Sequence, residues 1–331
     1  MQKIIPAILS ILLLVSCGAG KADSSSGNPS DMSAGTGVSS SSANADVRFD
    51  ADSAYAYVAR QVAFGPRVPN TEAHRLAGDW MTAELKRHGA EVIEQKMDLK
   101  AFDGTILHSR NIFGQYNPDA EDRTLLLAHY DCRPWADEDP DPEKRRQPVD
   151  GANDGASGVG VLLEIARQLS LDNPGSGIDI LFVDAEDWGT EGDDESWAMG
   201  ARYFVENPIK PGYSPARVIV ADMVGGKGAK FPVEYFSQQS APDLVSEIWG
   251  AAASAGHGNL FQRQLGGAVT DDHVEFIKIG IPAVDIIEYH PRSGFNPHWH
   301  TTSDNLDNID RNTLGAVGET IMTYINQNKQ K

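Results

Sequence analysis

The chain has 331 residues, 40% of them hydrophobic, and a formal net charge of −19. Such an excess of carboxylates sets up a long-range negative field that disfavours nucleic acid and anionic lipid as partners. It holds only two cysteines, Cys17 and Cys132. Cys17 falls in an N-terminal leader, so no internal disulfide is available and the fold must rest on its core and any bound metal.

In chain order, Lys3 precedes an apolar stretch, Ile4 to Val15, too short to span a bilayer as a mature helix. It ends in Leu14-Val15-Ser16-Cys17, which resembles the lipobox of bacterial lipoproteins, where cleavage precedes a lipid-modified cysteine. That resemblance implies a signal peptide over residues 1–17 and lipidation of Cys17. The protein is then expected on the periplasmic side of the bacterial cell envelope, held to the membrane by its lipid anchor alone. Residues 18–45 are mostly Gly, Ser and Ala, cannot bury a core, and read as a flexible tether. Residues 46–331 are the length of one large α/β domain.

Within that domain, Ser53 to Gln61 has helical spacing and FGPRVP (Phe64 to Pro69) breaks it. Asn70 or Thr71 caps a second helix that ends at Gly89. AEVIEQKMDLKAF and SRNIFGQY alternate as antiparallel strands. Thr124 to Ala128, Ile178 to Val183, Val218 to Ala221 and Ala283 to Ile287 are apolar runs expected of a sheet interior, and Gly158 to Leu169 is helical. Strands alternating with helices predict an α/β sandwich around a largely parallel sheet. The run DEDPDPEKRR (Asp137 to Arg146) reads as a solvated loop.

The chemistry sits where the strands end. His129-Tyr130-Asp131, Asp154 in GANDGASG, Glu186-Asp187 in FVDAED, Asp222, Asp271-Asp272-His273 and Trp299-His300-Thr301 each follow an apolar run or its loop. Imidazole nitrogens and carboxylate oxygens gathered at strand ends suit a cation such as zinc. Each taken alone has a plainer reading. A histidine after a strand is more often a core residue, and Asn153 or Asp154 would serve as a helix cap. The adjacent pair Glu186-Asp187 is sharper, because two neighbouring carboxylates repel unless a cation or proton lies between them.

Together, HYD, GANDGASGVGVLLEIAR, FVDAED, ADM, DDHVEFIKIGIPAVDI and WHTTSDNLDNID resemble the zinc-dependent M28 peptidase family, from His129 to the C-terminus. The resemblance implies a zinc aminopeptidase-like α/β/α fold, with a mixed, largely parallel central sheet. Two branches of the family compete. In a di-zinc aminopeptidase the implied ligands are His129, Asp154 as bridge, Asp187, Asp222 and His300, with Glu186 activating water. Three features resemble instead the animal-type glutaminyl cyclases and their bacterial relatives. These are Asp271 within Thr270-Asp271-Asp272-His273, Phe295 to His300 (FNPHWH), and FGPRVPNTEAH (Phe64 to His74).

That second resemblance implies one zinc on Asp154, Asp187 and His300, and peptides or proteins with N-terminal Gln as substrates. Glu186 would be the proton shuttle, with Asp222 and Asp271 orienting amine and amide. Thr270, Phe295, Trp299 and Trp188 would contact substrate, Trp197 being the alternative to Trp188. His129 would lie behind the metal or bind a second one. Asp187 departs from the animal pattern, which has Glu there; one methylene less draws the ion toward this strand.

Overall fold

The computed structural model describes residues 48–329 apart from 174 and 291. The expected signal peptide, Cys17 and the tether over 18–45 lie outside the described residues. Helix α1 (Ala51–Val62) starts at Asp50, whose carboxylate accepts the Asp52 N–H. Helix α2 (Glu72–Arg87) starts at Thr71, whose hydroxyl accepts the His74 N–H at 3.2 Å. Of the two expected caps, Thr71 takes the role, while the Asn70 side chain bonds across to the Ile106 carbonyl and the His108 N–H. β1 (Glu91–Lys100) and β2 (Ile106–Tyr116) pair antiparallel along their whole length, as their alternation predicts.

The chain continues through β3 (Arg123–His129), α3 (Ala156–Leu171), β4 (Gly177–Val183), α4 (Met199–Glu206), β5 (Arg217–Asp222) and β6 (Phe231–Val233). Next come α5 (Tyr235–Ser240), α6 (Pro242–Ser254), β7 (Phe261–Leu265), α7 (Asp272–Lys278) and β8 (Ala283–Ile287). A short ribbon, β9 (Tyr289–His290) with β10 (Gly294–Phe295), precedes α8 (Arg311–Gln327). The main sheet has the order β1-β2-β4-β3-β5-β8. β2 alone runs against the other strands, so the sheet is mixed and largely parallel, as expected.

The inner strands are apolar on both faces because both faces are covered. Leu126 and Ala128 of β3 join a core with α1, α3 and α8, while Leu125 and Leu127 pack with Phe204 of α4 and Phe276 of α7. This is the α/β/α sandwich. α3 lies so close to β5 that a Cβ on Gly158 would sit 2.0 Å from the Ala221 carbonyl oxygen. The parallel strands β3, β4, β5 and β8 also open their carboxyl ends on one edge, where such folds place their ligands.

Candidate active site

On that edge the expected residues converge. His129 ends β3, Asp222 ends β5, Glu186 and Asp187 follow β4, and Asp154 lies in the loop before α3. The loop after β8 brings His300 across. Asp154, Asp187 and His300 offer ligand atoms within 4.8 Å of one another, and so do His129, Asp154 and Asp222. His300 Nε2 lies 3.0 Å from Asp187 Oδ1 and 3.6 Å from Asp154 Oδ2, while its Nδ1 faces Asp137 at 3.5 Å. Both oxygens of Asp187 are buried without a hydrogen-bond donor. A neutral imidazole with its proton on Nδ1 would aim a lone pair where those bare oxygens point. Orphaned oxygens beside a lone pair fit a bound cation, and the N/O donor set suits zinc.

His129 is placed differently. Its Nε2 is 3.0 Å from Asp154 Oδ1 and 3.1 Å from Asp222 Oδ1, and its Nδ1 is 3.4 Å from Asp131. Burial alone would depress its pKa, but Asp131, Asp154 and Asp222 outweigh that and hold it well above the usual range. Burial pushes His300 the other way, down to about 4. Glu186 is raised well above the carboxylate range, first by burial and then by Asp271, Asp187 and Asp272 despite His129. Burial pushes Asp187 up to about 8 and Asp271 up to about 6.

Asp154, Glu186, Asp187, Asp222, Asp271 and His300 form the floor of a cleft of about 470 Å³, which Thr270, Phe295 and Trp299 also line, while His129 lies behind it. Trp299 stacks on His300 with ring centroids 3.7 Å apart, and Phe295 packs on Trp299 at 4.6 Å. The expectation for Trp188 is overturned: it is buried with Ala101, Leu107 and Ala185, edge-on to Trp135, and does not line the cleft. Trp197 does, its ring nearly parallel to His300 at 6.0 Å. A Cβ on Gly189 would meet the Trp197 ring at 2.0 Å, so Gly189 makes room for it. Neither Asn153 nor Asp154 caps α3, whose N-cap is Gly155.

Several residues support the site through backbone contacts that no local pattern in the sequence foretells. The Asp131 carboxylate accepts the backbone N–H groups of Glu186 and Asp187, each at 3.2 Å. Asp304 accepts those of Asn153 and Asp154 at 2.7 and 3.0 Å. Fully buried Arg67, from FGPRVP, donates to the carbonyls of Tyr130, Asp150 and Gly151 and so fixes the loop leading to Asp154. Arg133 donates to the Asp187 and Gly189 carbonyls and sits over the Trp197 ring. Ala185, Met223 and His300 adopt φ of 53°, 48° and 52°, a region non-glycine residues seldom occupy. All three border or belong to the acidic floor, where such strain is commonly concentrated.

Residues 111–325 match the family model for Peptidase family M28. The structure resembles Porphyromonas gingivalis glutaminyl cyclase with a TM-score of 0.83 and 53% identity, covering 84% of this chain and 98% of that one. It also resembles a Zn-dependent exopeptidase from Parabacteroides distasonis, with a TM-score of 0.82 and 52% identity over the same shares. The glutaminyl-peptide cyclotransferase of Bos taurus is 24% identical over 244 residues, 65% of each chain. The chain thus spans just under two thirds of that curated relative's length. It belongs to peptidase family M28, among relatives that include bacterial glutaminyl cyclases.

Proposed function

We infer that this protein is a zinc-dependent glutaminyl-peptide cyclotransferase, converting the N-terminal Gln of peptides to pyroglutamate with release of ammonia. The observation that carries this reading is Asp271. It is 3% exposed, has an unpartnered oxygen, and lines the same cleft as Glu186. Hydrolysis of a peptide bond does not need that extra carboxylate; an amine folding back on its own side-chain amide gains an acceptor from it. The half-identical glutaminyl cyclase supports the same conclusion.

In the reaction, the α-amine nitrogen bonds to the γ-carboxamide carbon, and the bond from that carbon to its amide nitrogen breaks. One proton must leave the amine and reach the departing nitrogen. Glu186, held proton-accepting by its neighbours, takes it and returns it. Asp222 and Asp271 orient amine and amide, and Phe295, Trp299 and Trp197 confine the side chain in a near-attack pose. Asp154, Asp187 and His300 would hold zinc, which when bound supplies Lewis-acid polarisation of the γ-carbonyl.

We assign one ion to the site. The three-residue set with bare Asp187 oxygens supports that count, since Asp154 and Asp222 already share His129 as an internal counter-ion. A di-zinc aminopeptidase is the alternative, favoured by the complete second ligand set of His129, Asp154 and Asp222. A Gln-initiated peptide incubated with the enzyme should lose ammonia with its chain length unchanged, at one zinc per chain. Free amino acids released from a Leu-initiated peptide, at two zinc ions per chain, would decide for the aminopeptidase. We further propose a lipid-anchored, periplasmic location, for which Cys17→Ala should abolish lipid labelling and membrane association.

A further inference from the structure

Between the floor of the cleft and solvent lies a rim of different character. Glu138, Glu191 and Asp194 line the cleft and are exposed. None of the three carboxylates makes an ion pair with a Lys or Arg among the described residues; Glu138 acts on His300 only through its field. Arg133 is the only Lys or Arg among the described residues lining the cleft, and Asp137 already takes it up at 2.6 Å. The basic residues Lys144, Arg145 and Arg146 of the neighbouring loop do not line it. The segment carrying Glu191 and Asp194 is held in place. Ser196 Oγ accepts the Thr190 N–H at 2.8 Å and donates to the Asp193 carbonyl at 2.6 Å, and Trp197 is packed over Gly189.

The order of burial along the cleft gives these charges a position relative to a substrate. The N-terminal glutamine occupies the buried floor, so the following residue leaves through the rim. A cleft walled by Trp197, Trp299 and Phe295 concentrates the field of its mouth, and charges of one sign there raise the capture of substrates of the other. We propose that the rim formed by Glu138, Glu191 and Asp194 makes the enzyme prefer peptides with a basic residue directly after the N-terminal glutamine and discriminate against acidic ones. This rests on the cyclase reading.

The test measures ammonia release from Gln-Lys-Ala, Gln-Ala-Ala and Gln-Glu-Ala by the zinc-loaded enzyme. The expected order of kcat/KM is Lys above Ala above Glu, with about tenfold between the extremes at low ionic strength, carried by KM. At high salt the spread should shrink to about twofold, because exposed charges are screened over a few ångströms there. Glu138→Gln/Glu191→Gln/Asp194→Asn should remove the preference while leaving turnover of Gln-Ala-Ala unchanged. Glu191→Lys alone should shift it toward the Glu peptide. Equal turnover of all three peptides, or a preference that survives the triple substitution, overturns the rim proposal and leaves the cyclase reading standing. Ammonia from none of them overturns the cyclase reading, and this proposal with it.

Discussion

Glu186 and Asp187 are neighbours in sequence with opposite surroundings, and that difference separates their work. Asp131 grips both backbone N–H groups, fixing the turn that sends the two carboxylates in different directions. Asp187 meets His300 and Asp154, whereas Glu186 lies among Asp271, Asp272 and His129. Glu186→Gln should therefore keep zinc near one equivalent while kcat falls by roughly two to four orders of magnitude. His300→Ala should instead lower zinc occupancy, measured by metal analysis after dialysis. Retained activity in Glu186→Gln would remove the proposed shuttle. The two tryptophans separate in the same way. Trp197→Ala should raise KM for a Gln peptide with little change in Tm. Trp188→Ala, which empties a packed cluster, should cost about 3–5 kcal/mol of stability. The reverse pattern would return Trp188 to the substrate wall.

At the scale of elements, the strand ends were legible because the inner strands are largely apolar runs, and carboxylates and imidazoles at or just beyond their ends reach the site. Asp184 and Glu288, which directly follow β4 and β8, turn to His74 and Asn296 instead. His129, Asp222 and the Glu186-Asp187 turn were found that way. The wall was only half legible. Trp299 adjoins His300 in sequence, but Trp188 and Trp197 flank one loop symmetrically, and only tertiary packing over Gly189 turns Trp197 inward. Asp304 and Arg67 were invisible for a related reason: each acts on backbone groups far along the chain, which no local periodicity encodes. The small β6–β7 sheet carries too few residues to show alternation. Helix α3 links fold to site, because it begins two residues after Asp154 and lies against β5. Gly158→Ala should drive its Cβ into the Ala221 carbonyl and cost about 1–3 kcal/mol. A fall of several degrees in Tm together with weaker zinc retention is expected; an unchanged Tm would mean that α3 is not wedged against the sheet.

For the whole molecule, the acidic floor makes stability depend on metal and pH together. Without the ion, Asp187 has its folded pKa pushed up to about 8, and His129 is also raised well above its usual value. A group that holds its proton more tightly when folded stabilises the fold below its unfolded pKa, and that contribution is lost as pH rises through the folded value. Below about pH 6.5, His300 and His88 work in the opposite sense, because both are depressed to about 4 in the folded chain. Above about pH 7.5 those two are largely neutral in either state, and the raised groups still titrate. The metal-free protein should therefore lose Tm steadily from about pH 7.5 to pH 8.5. Zinc neutralises the carboxylates that cause the loss, and it stabilises further by binding only the folded chain. The zinc-loaded protein should show a higher Tm and a flatter profile across the same window. Thermal melts of chelated and reloaded protein at matched ionic strength provide the comparison. A metal-free Tm that rises with pH over this range would mean that the floor carboxylates are not held protonated by one another.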